Sequence, residues 1–328
     1  MRVFPQGQGF TVGLLAALLL AWLWPEGGAS DGPLMMGFSA KCAVVVIFFL
    51  QGLGLSVGQL RDGLVDWRRH LFVQSFIFVL FPAVTLGLVA TGLPAETWVP
   101  GFLFLAILPT TISTSVTYAS AANGDVSAAT FNATASNLLA IFLAPAWCAW
   151  QIFPRLDHSV SGASTEDFLL LFLGKAAGLI VAPLVVGLLV RKELKGSGEE
   201  SAELRRNLSF GCVLFIAYAG FCQGFLDSGE GAAGRDWWVP LAWSAVLLLL
   251  MTWLAAKLAS PFPRRNRTSA LFCSSQKSLA VGLPMGQVIF GIAHPQLFEL
   301  LLPLILYHML QLFLGSLMLN RLAAEPEA

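Results

Sequence analysis

Most of this chain is written as apolar runs of about 18 residues or more, a length that crosses a bilayer rather than filling a soluble core. Two of those runs are interrupted by polar, helix-breaking sequence. The first break, residues 109–137, reads PTTISTSVTYASAANGDVSAATFNATASN, and the second, residues 272–286, reads FCSSQKSLAVGLPMG. Backbone that leaves the helix inside hydrocarbon is tolerated only where protein covers it or where it lines a cavity. One such break in each half of a chain is the pattern of a transporter's binding site.

Composition agrees with an all-α membrane protein. Hydrophobic residues make up 56% and charged residues 12%, with a mean hydropathy of +0.74, whereas a soluble domain carries about 25% charge. The net charge is zero and no basic tract occurs, which excludes nucleic acid as a partner. The implied partners are the lipid bilayer and a small organic solute; the sequence does not specify an oligomeric state. Cys42, Cys148, Cys212, Cys222 and Cys273 all fall in apolar segments without a CxxC pair. They read as small buried hydrophobes rather than disulfides or a metal site.

Ten spans are expected, at 9–25, 38–57, 70–91, 98–120, 126–152, 167–190, 207–226, 237–258, 268–291 and 297–320. The run from Phe10 to Trp24 is short and follows Arg2, as in a signal peptide, but no small-residue cleavage site follows it and we keep it as the first span. Trp24, Trp98, Trp150, Trp237 and Trp238 sit near span ends, where amphipathic rings favour the interface. With both termini cytoplasmic, Arg2, Arg61, Arg68, Arg69, Arg191, Lys192, Lys195, Arg205, Arg206, Lys257, Arg264, Arg265, Arg267 and Arg321 all become cytoplasmic, 14 of the 19 basic residues. Only Arg155 and Arg235 lie in opposite loops, a bias that orients a multi-pass protein of the plasma (inner) membrane.

The halves resemble each other. FLQGLGLS (49–56) and FCQGFLDS (221–228) share four of eight residues 172 positions apart, and the same offset carries Pro109 to 281, inside the second break. Five spans per half is an odd number, so the second half is expected to be inverted. The chain divides into repeats 1–165 and 166–328, with the substrate site near the midplane between them.

Candidate site residues follow. After Pro109 come Thr110, Thr111, Ser113, Thr114, Ser115 and Thr117. Proline removes a helical hydrogen bond and frees carbonyls, so hydroxyls and carbonyls here suit a small cation or a polar solute; the alternative is a kinked helix whose hydroxyls bond back to their own turn. In the fifth span Ser127, Thr130, Thr134 and Asn137 are spaced three, four and three apart, one polar stripe expected to face the bundle, with Asn132 and Ser136 beside it. Helix-to-helix hydrogen bonding is the alternative for that stripe. In the ninth span Ser274, Ser275, Gln276, Lys277 and Ser278 precede Gly282 and Pro284. A charge at that depth costs about 2.5–3.5 kcal/mol, so Lys277 requires a partner or a function. Lys41 and Lys175 lie nearer span ends and are expected to snorkel. Gln51 and Gln223 are repeat-equivalent and either cap unwound backbone or join neighbouring helices. No Asp or Glu lies deep in a span, and only His308 among the histidines does, so no metal cluster or catalytic dyad can be assembled. No cofactor is expected.

At these residues the chain resembles the bile acid:sodium symporter family over essentially its whole length. The resemblance rests on Pro109, the 110–117 cluster, Thr117-Tyr118, Gly124-Asp125-Val126 and the 127–137 stripe. It implies ten helices in two inverted repeats, with the fourth and ninth broken and crossing beside two sodium sites. It implies a core of helices 2–5 and 7–10 moving against a panel of helices 1 and 6. Carried over by position, Thr114 and Ser115 match the fourth-helix sodium ligands, Thr130 and Thr134 approximate those of the fifth, and Gln276 matches the glutamine of the ETGMQN-like motif. The motif's acidic ligand falls on Phe272 and its asparagine on Lys277, as in the divergent branch resembling sodium/bile acid cotransporter 7.

The expected function is secondary active transport of a small organic, anionic solute by alternating access. Sodium remains one candidate coupling ion. Alternatively, Lys277 replaces a sodium charge, or exchanges protons, since burial destabilises a charged amine in general; an uncoupled carrier is the third option. A membrane enzyme would need Ser278 and Lys277 as nucleophile and base and lacks a second titratable partner. A non-transporting regulatory protein would keep the fold without the cycle.

Overall fold

In hydrocarbon each backbone N–H and C=O must be satisfied within its own segment, so long apolar runs fold as helices. The computed structural model describes residues 5–54, 66–92, 94–155, 170, 173–193, 199–227, 238–291, 294 and 296–322, and no strand occurs among them. Arg2, Arg61, Arg235, Lys195, Trp237, His158 and the ends of both octapeptides lie outside the described residues.

The helices are α1 (Pro5–Leu23), α2 (Met36–Gly54), α3 (Trp67–Val89), α4 (Val99–Ile107), α5 (Ile112–Ala121), α6 (Val126–Trp147), α7 (Leu173–Arg191), α8 (Glu199–Asp227), α9 (Trp238–Leu258), α10 (Arg264–Ser275), α11 (Leu279–Phe290) and α12 (Leu297–Leu322). Seven of the described helices are long and apolar enough to cross a membrane, and the bent pair Glu96–Ile107 with Ile112–Ala121 makes an eighth. The runs expected at 9–25 and 268–291 are helical too. The first is short, and the second starts on Arg264, Arg265 and Arg267 and breaks after Ser275. The protein is therefore an integral, multi-pass membrane protein. α8 starts well before the expected 207, because a polar segment from Glu199 extends it.

Packing pairs the halves in an exchanged manner. α1 lies on α8, α7 lies on α2, and α2 lies on α8. α4 packs on α12 as α10 packs on α6. The α2–α7 crossing is backbone to backbone: a Cβ on Gly52 would strike the Leu184 carbonyl, and one on Gly187 would strike the Phe49 carbonyl. Small residues allow this approach where apolar burial cannot drive helices together. Among the seven spans α12 is the most buried, with 72% of its apolar window covered against 28% for α7.

Candidate functional site

Both breaks are short and both end in extended backbone. α4 stops at Ile107; Leu108 turns to ψ 152°, Pro109 supplies no N–H, and α5 starts at Ile112. The bend between the two halves is 61°. α10 stops at Ser275, Gln276 turns to ψ 149°, and Ser278 caps α11 by accepting the Val281 N–H at 3.3 Å. The breaks meet: the Ser278 N–H donates to the Pro109 carbonyl at 2.9 Å.

Lys277 is fully buried at this meeting point. Its Nζ donates to the carbonyls of Ala106 and Leu108, each at 2.7 Å, and reaches the Ile77 carbonyl at 3.4 Å. The Phe81 ring lies beneath it, 4.0 Å from Nζ to the centroid. Ala106 and Leu108 straddle the end of α4. Ile77 sits in a π turn, Phe76–Leu80, where the Phe81 N–H bonds Phe76, and the next residue, Pro82, has no N–H to offer. Two prolines thus release carbonyls that one lysine collects.

The second break is held by α12. The Gln311 side chain accepts from the Lys277 N–H at 2.7 Å and donates to the Lys277 carbonyl at 2.8 Å. The Tyr307 hydroxyl donates to the Ser275 carbonyl at 2.6 Å. His308 Nδ1 lies 2.7 Å from Gln311 Nε2. That nitrogen therefore accepts, because a side-chain NH2 can only donate. These three residues were not singled out as ligands of the break. Their only sequence signal is polarity at i, i+1 and i+4 on one face of an otherwise apolar span.

Beside the crossing the hydroxyl cluster converges on Gln276. Its Oε1 accepts from Thr114 at 2.7 Å and from Ser115 at 3.0 Å, and Ser115 also pairs with Thr110 at 3.1 Å. Thr111 pairs with Ser113 at 3.4 Å, whereas Thr117 bonds back to the Ser113 carbonyl. Ser275 bonds back to Leu271, and Ser274 is buried with no partner for its hydroxyl among the described residues. The fifth-span stripe is not uniformly bundle-facing as expected. Ser127 is exposed, Thr130 is half-buried and bonds to the Val126 carbonyl, Thr134 is buried and Asn137 half-buried. The face that packs carries Asn132 and Ser136 instead. Asn132 donates to the Ala128 carbonyl, so its Oδ1 accepts from His70 Nδ1 at 3.1 Å. Gln51 and Gln223 are half-buried on α2 and α8; the backbone of the second break is met by Tyr307 and Gln311 of α12.

Where the resemblance places an acidic ligand, Phe272 is buried with its ring 5.5 Å from that of Tyr118. Among the described residues no group of three His, Cys, Asp or Glu is placed to hold a metal ion. Lys41 and Lys175 are exposed, as snorkelling side chains would be.

At the end of the bundle beyond α5, the buried Arg69 binds Asp125 at 2.9 Å, the Asp125 N–H bonds the Arg265 carbonyl, and Ser269 donates to the Asp125 carbonyl. Burial alone would raise the Asp125 carboxyl, but the Ala128 N–H and the Arg69 guanidinium outweigh it and hold it below the ordinary aspartate value.

The family model of the SBF-like CPA transporter family matches residues 8–324. The chain belongs to that family. Its members are transporters rather than enzymes. Mouse sodium/bile acid cotransporter 7 is 30% identical, with 95% of this chain and 91% of the mouse protein covered. The zebrafish protein of the same name is 30% identical, with 95% and 92% covered. The uncharacterized protein PA2026 of Pseudomonas aeruginosa is also 30% identical, with 98% and 94% covered.

Proposed function

We propose that this member of the family is a secondary carrier of a small organic anion, working by alternating access. Ten spans would form two inverted repeats, 1–165 and 166–328, with the first and sixth spans as a panel against a core of the others. The exchanged packing of α1 on α8 and α7 on α2 supports that arrangement. In this reading the termini are cytoplasmic in a plasma (inner) membrane, and contacts support the placing of the arginine-bearing ends on one side. Arg191 donates to the Leu53 carbonyl, Arg264 to the Leu322 carbonyl, and Arg69 to Asp125. Each contact joins ends that the charge bias puts on one side.

The observation that carries the reading is the buried Lys277 amino group at the meeting of two broken helices. The half-helices α5 and α11 both begin there, so their N-termini add positive potential to that of the lysine. An anion is the solute such a field favours.

Sodium is named for the cotransporter relatives. The donor set here fits it poorly: Thr114, Ser115 and Gln276 bring neutral oxygens already bonded to one another, and Phe272 occupies the acidic position. Thr130 spends its hydroxyl on its own helix. We derive no step through sodium.

The test is reconstitution. Purified protein in proteoliposomes is assayed for counterflow of labelled organic anions, a bile acid among them, with sodium or choline outside. Saturable counterflow undiminished in choline is expected. Strict sodium dependence would overturn the coupling reading, and an absence of counterflow for every organic anion would overturn the carrier.

A further inference from the structure

The hydrogen-bond and ring partners of Lys277 Nζ are all electron-rich: the carbonyls of Ala106, Leu108 and Ile77 and the face of Phe81. No ion pair joins Lys277 to a carboxylate among the described residues. A neutral amine offers two N–H groups and a lone pair, and that lone pair would face a carbonyl oxygen or the ring. An ammonium offers three N–H groups and no lone pair. Three carbonyls and one ring face match the ammonium.

The carbonyls do not belong to the lysine's own helix. Pro109 and the end of α4 release two of them, and the π turn with Pro82 releases the third. Carbonyls freed in this manner at membrane depth are what channels and carriers use to replace the hydration shell of a small cation. We propose that this pocket is a monovalent-cation site built by α3 and α4, and that Lys277 fills it permanently with an ammonium tethered to the other broken helix. The protein thus supplies its own cation where an ion-coupled carrier would take one from solution. The placement stands on geometry; its meaning for coupling rests on the transport reading above.

The test empties the site and offers it a free cation. Full-length protein in detergent is unfolded by heat in methylammonium chloride or choline chloride at equal ionic strength. Methylammonium keeps three N–H donors, and choline has none. Lys277→Ala is expected to unfold below wild type in choline and to rise saturably in methylammonium by at least about 2 °C. Wild type is expected to show no such rise. Lys277→Met, which fills most of the side chain's length without its charge, should be destabilised and not rescued. An equal response of the Ala and Met variants, no rescue of either, or a wild-type response as large as that of Lys277→Ala would overturn the proposal. Should Lys277→Ala not be recovered folded in choline, its monodisperse yield after solubilisation in methylammonium becomes the readout, and failure in both salts counts against the site. Because unfolding is measured, a wild-type protein that moves no organic anion removes the transport reading and leaves this result standing.

Discussion

Ser278 and Pro109, 169 positions apart in sequence, are joined by a backbone hydrogen bond of 2.9 Å. The bond exists because proline leaves its own carbonyl outside α4 and serine enters α11 as its cap, with its N–H free to turn outward. Pro109→Ala restores an N–H and lets α4 run on, drawing the Ala106 and Leu108 carbonyls back into helical bonds. The expected cost is about 1–3 kcal/mol of stability, from partners lost by Lys277 and Ser278. Equilibrium unfolding in detergent checks it, and a more stable variant would contradict the assigned role of the break.

Gln311→Leu removes both hydrogen bonds that the amide makes to the Lys277 N–H and carbonyl, leaving the buried N–H unpaired and the carbonyl with His308 Nδ1 alone, at 3.3 Å. Stranding such a group costs about 1–3 kcal/mol. Phe313, two residues on and exposed, is the control: Phe313→Leu should stay within about 0.5 kcal/mol of wild type. Equal effects of the two substitutions on the unfolding midpoint would show that Gln311 is not the cap.

At the α2–α7 crossing a side chain has no room. Gly187→Val is expected to push the helices apart and cost about 1–3 kcal/mol through overpacking, whereas Gly178→Ala, where added atoms meet nothing within 4 Å, should be neutral. Cysteine cross-linking between α2 and α7 reads the separation directly.

Asp125 gives the protein an acid limb. Its carboxyl is held below the ordinary value of 3.8, so the folded state binds that proton less readily than the unfolded one. Its contribution to stability is complete above 3.8 and is lost as pH falls through the lower folded value. The Asp125 side chain is 30% exposed, so solvent screening keeps the effect modest. Asp125→Asn should flatten the dependence of the unfolding midpoint in that acid range and leave it unchanged near neutrality in slope. An unchanged acid slope would remove Asp125 from the account.

The helical class, the two breaks and the need to account for Lys277 are legible in the chain because hydrocarbon enforces them. Long apolar runs must be helices, and a cation in mid-span must find acceptors. Proline at 109 correctly signals freed carbonyls, but nothing local says that a lysine 168 residues later collects them. The fifth-span stripe misleads for a different reason. Polarity does not mark the packed face of a membrane helix, since close approach favours small residues, and in α6 the packed face runs through Ala129, Ala133 and Ala140 beside Asn132 and Ser136. Tyr307 and Gln311 escape sequence reading because their partners are main-chain atoms some thirty residues away, made available only by the second break.

The Gln311 amide meets the Lys277 peptide as one strand of a sheet meets its neighbour, giving to its C=O and taking from its N–H. A side chain stands in for main chain and splices the interrupted α10–α11 segment onto α12. The lysine of that same peptide is stitched to α4. These bonds tie α4, α10, α11 and α12 to one another. A rearrangement that keeps those bonds runs along seams farther out, such as the α2–α7 crossing, where Gly52 and Gly187 leave two backbones bare to each other and Arg191 reaches the Leu53 carbonyl.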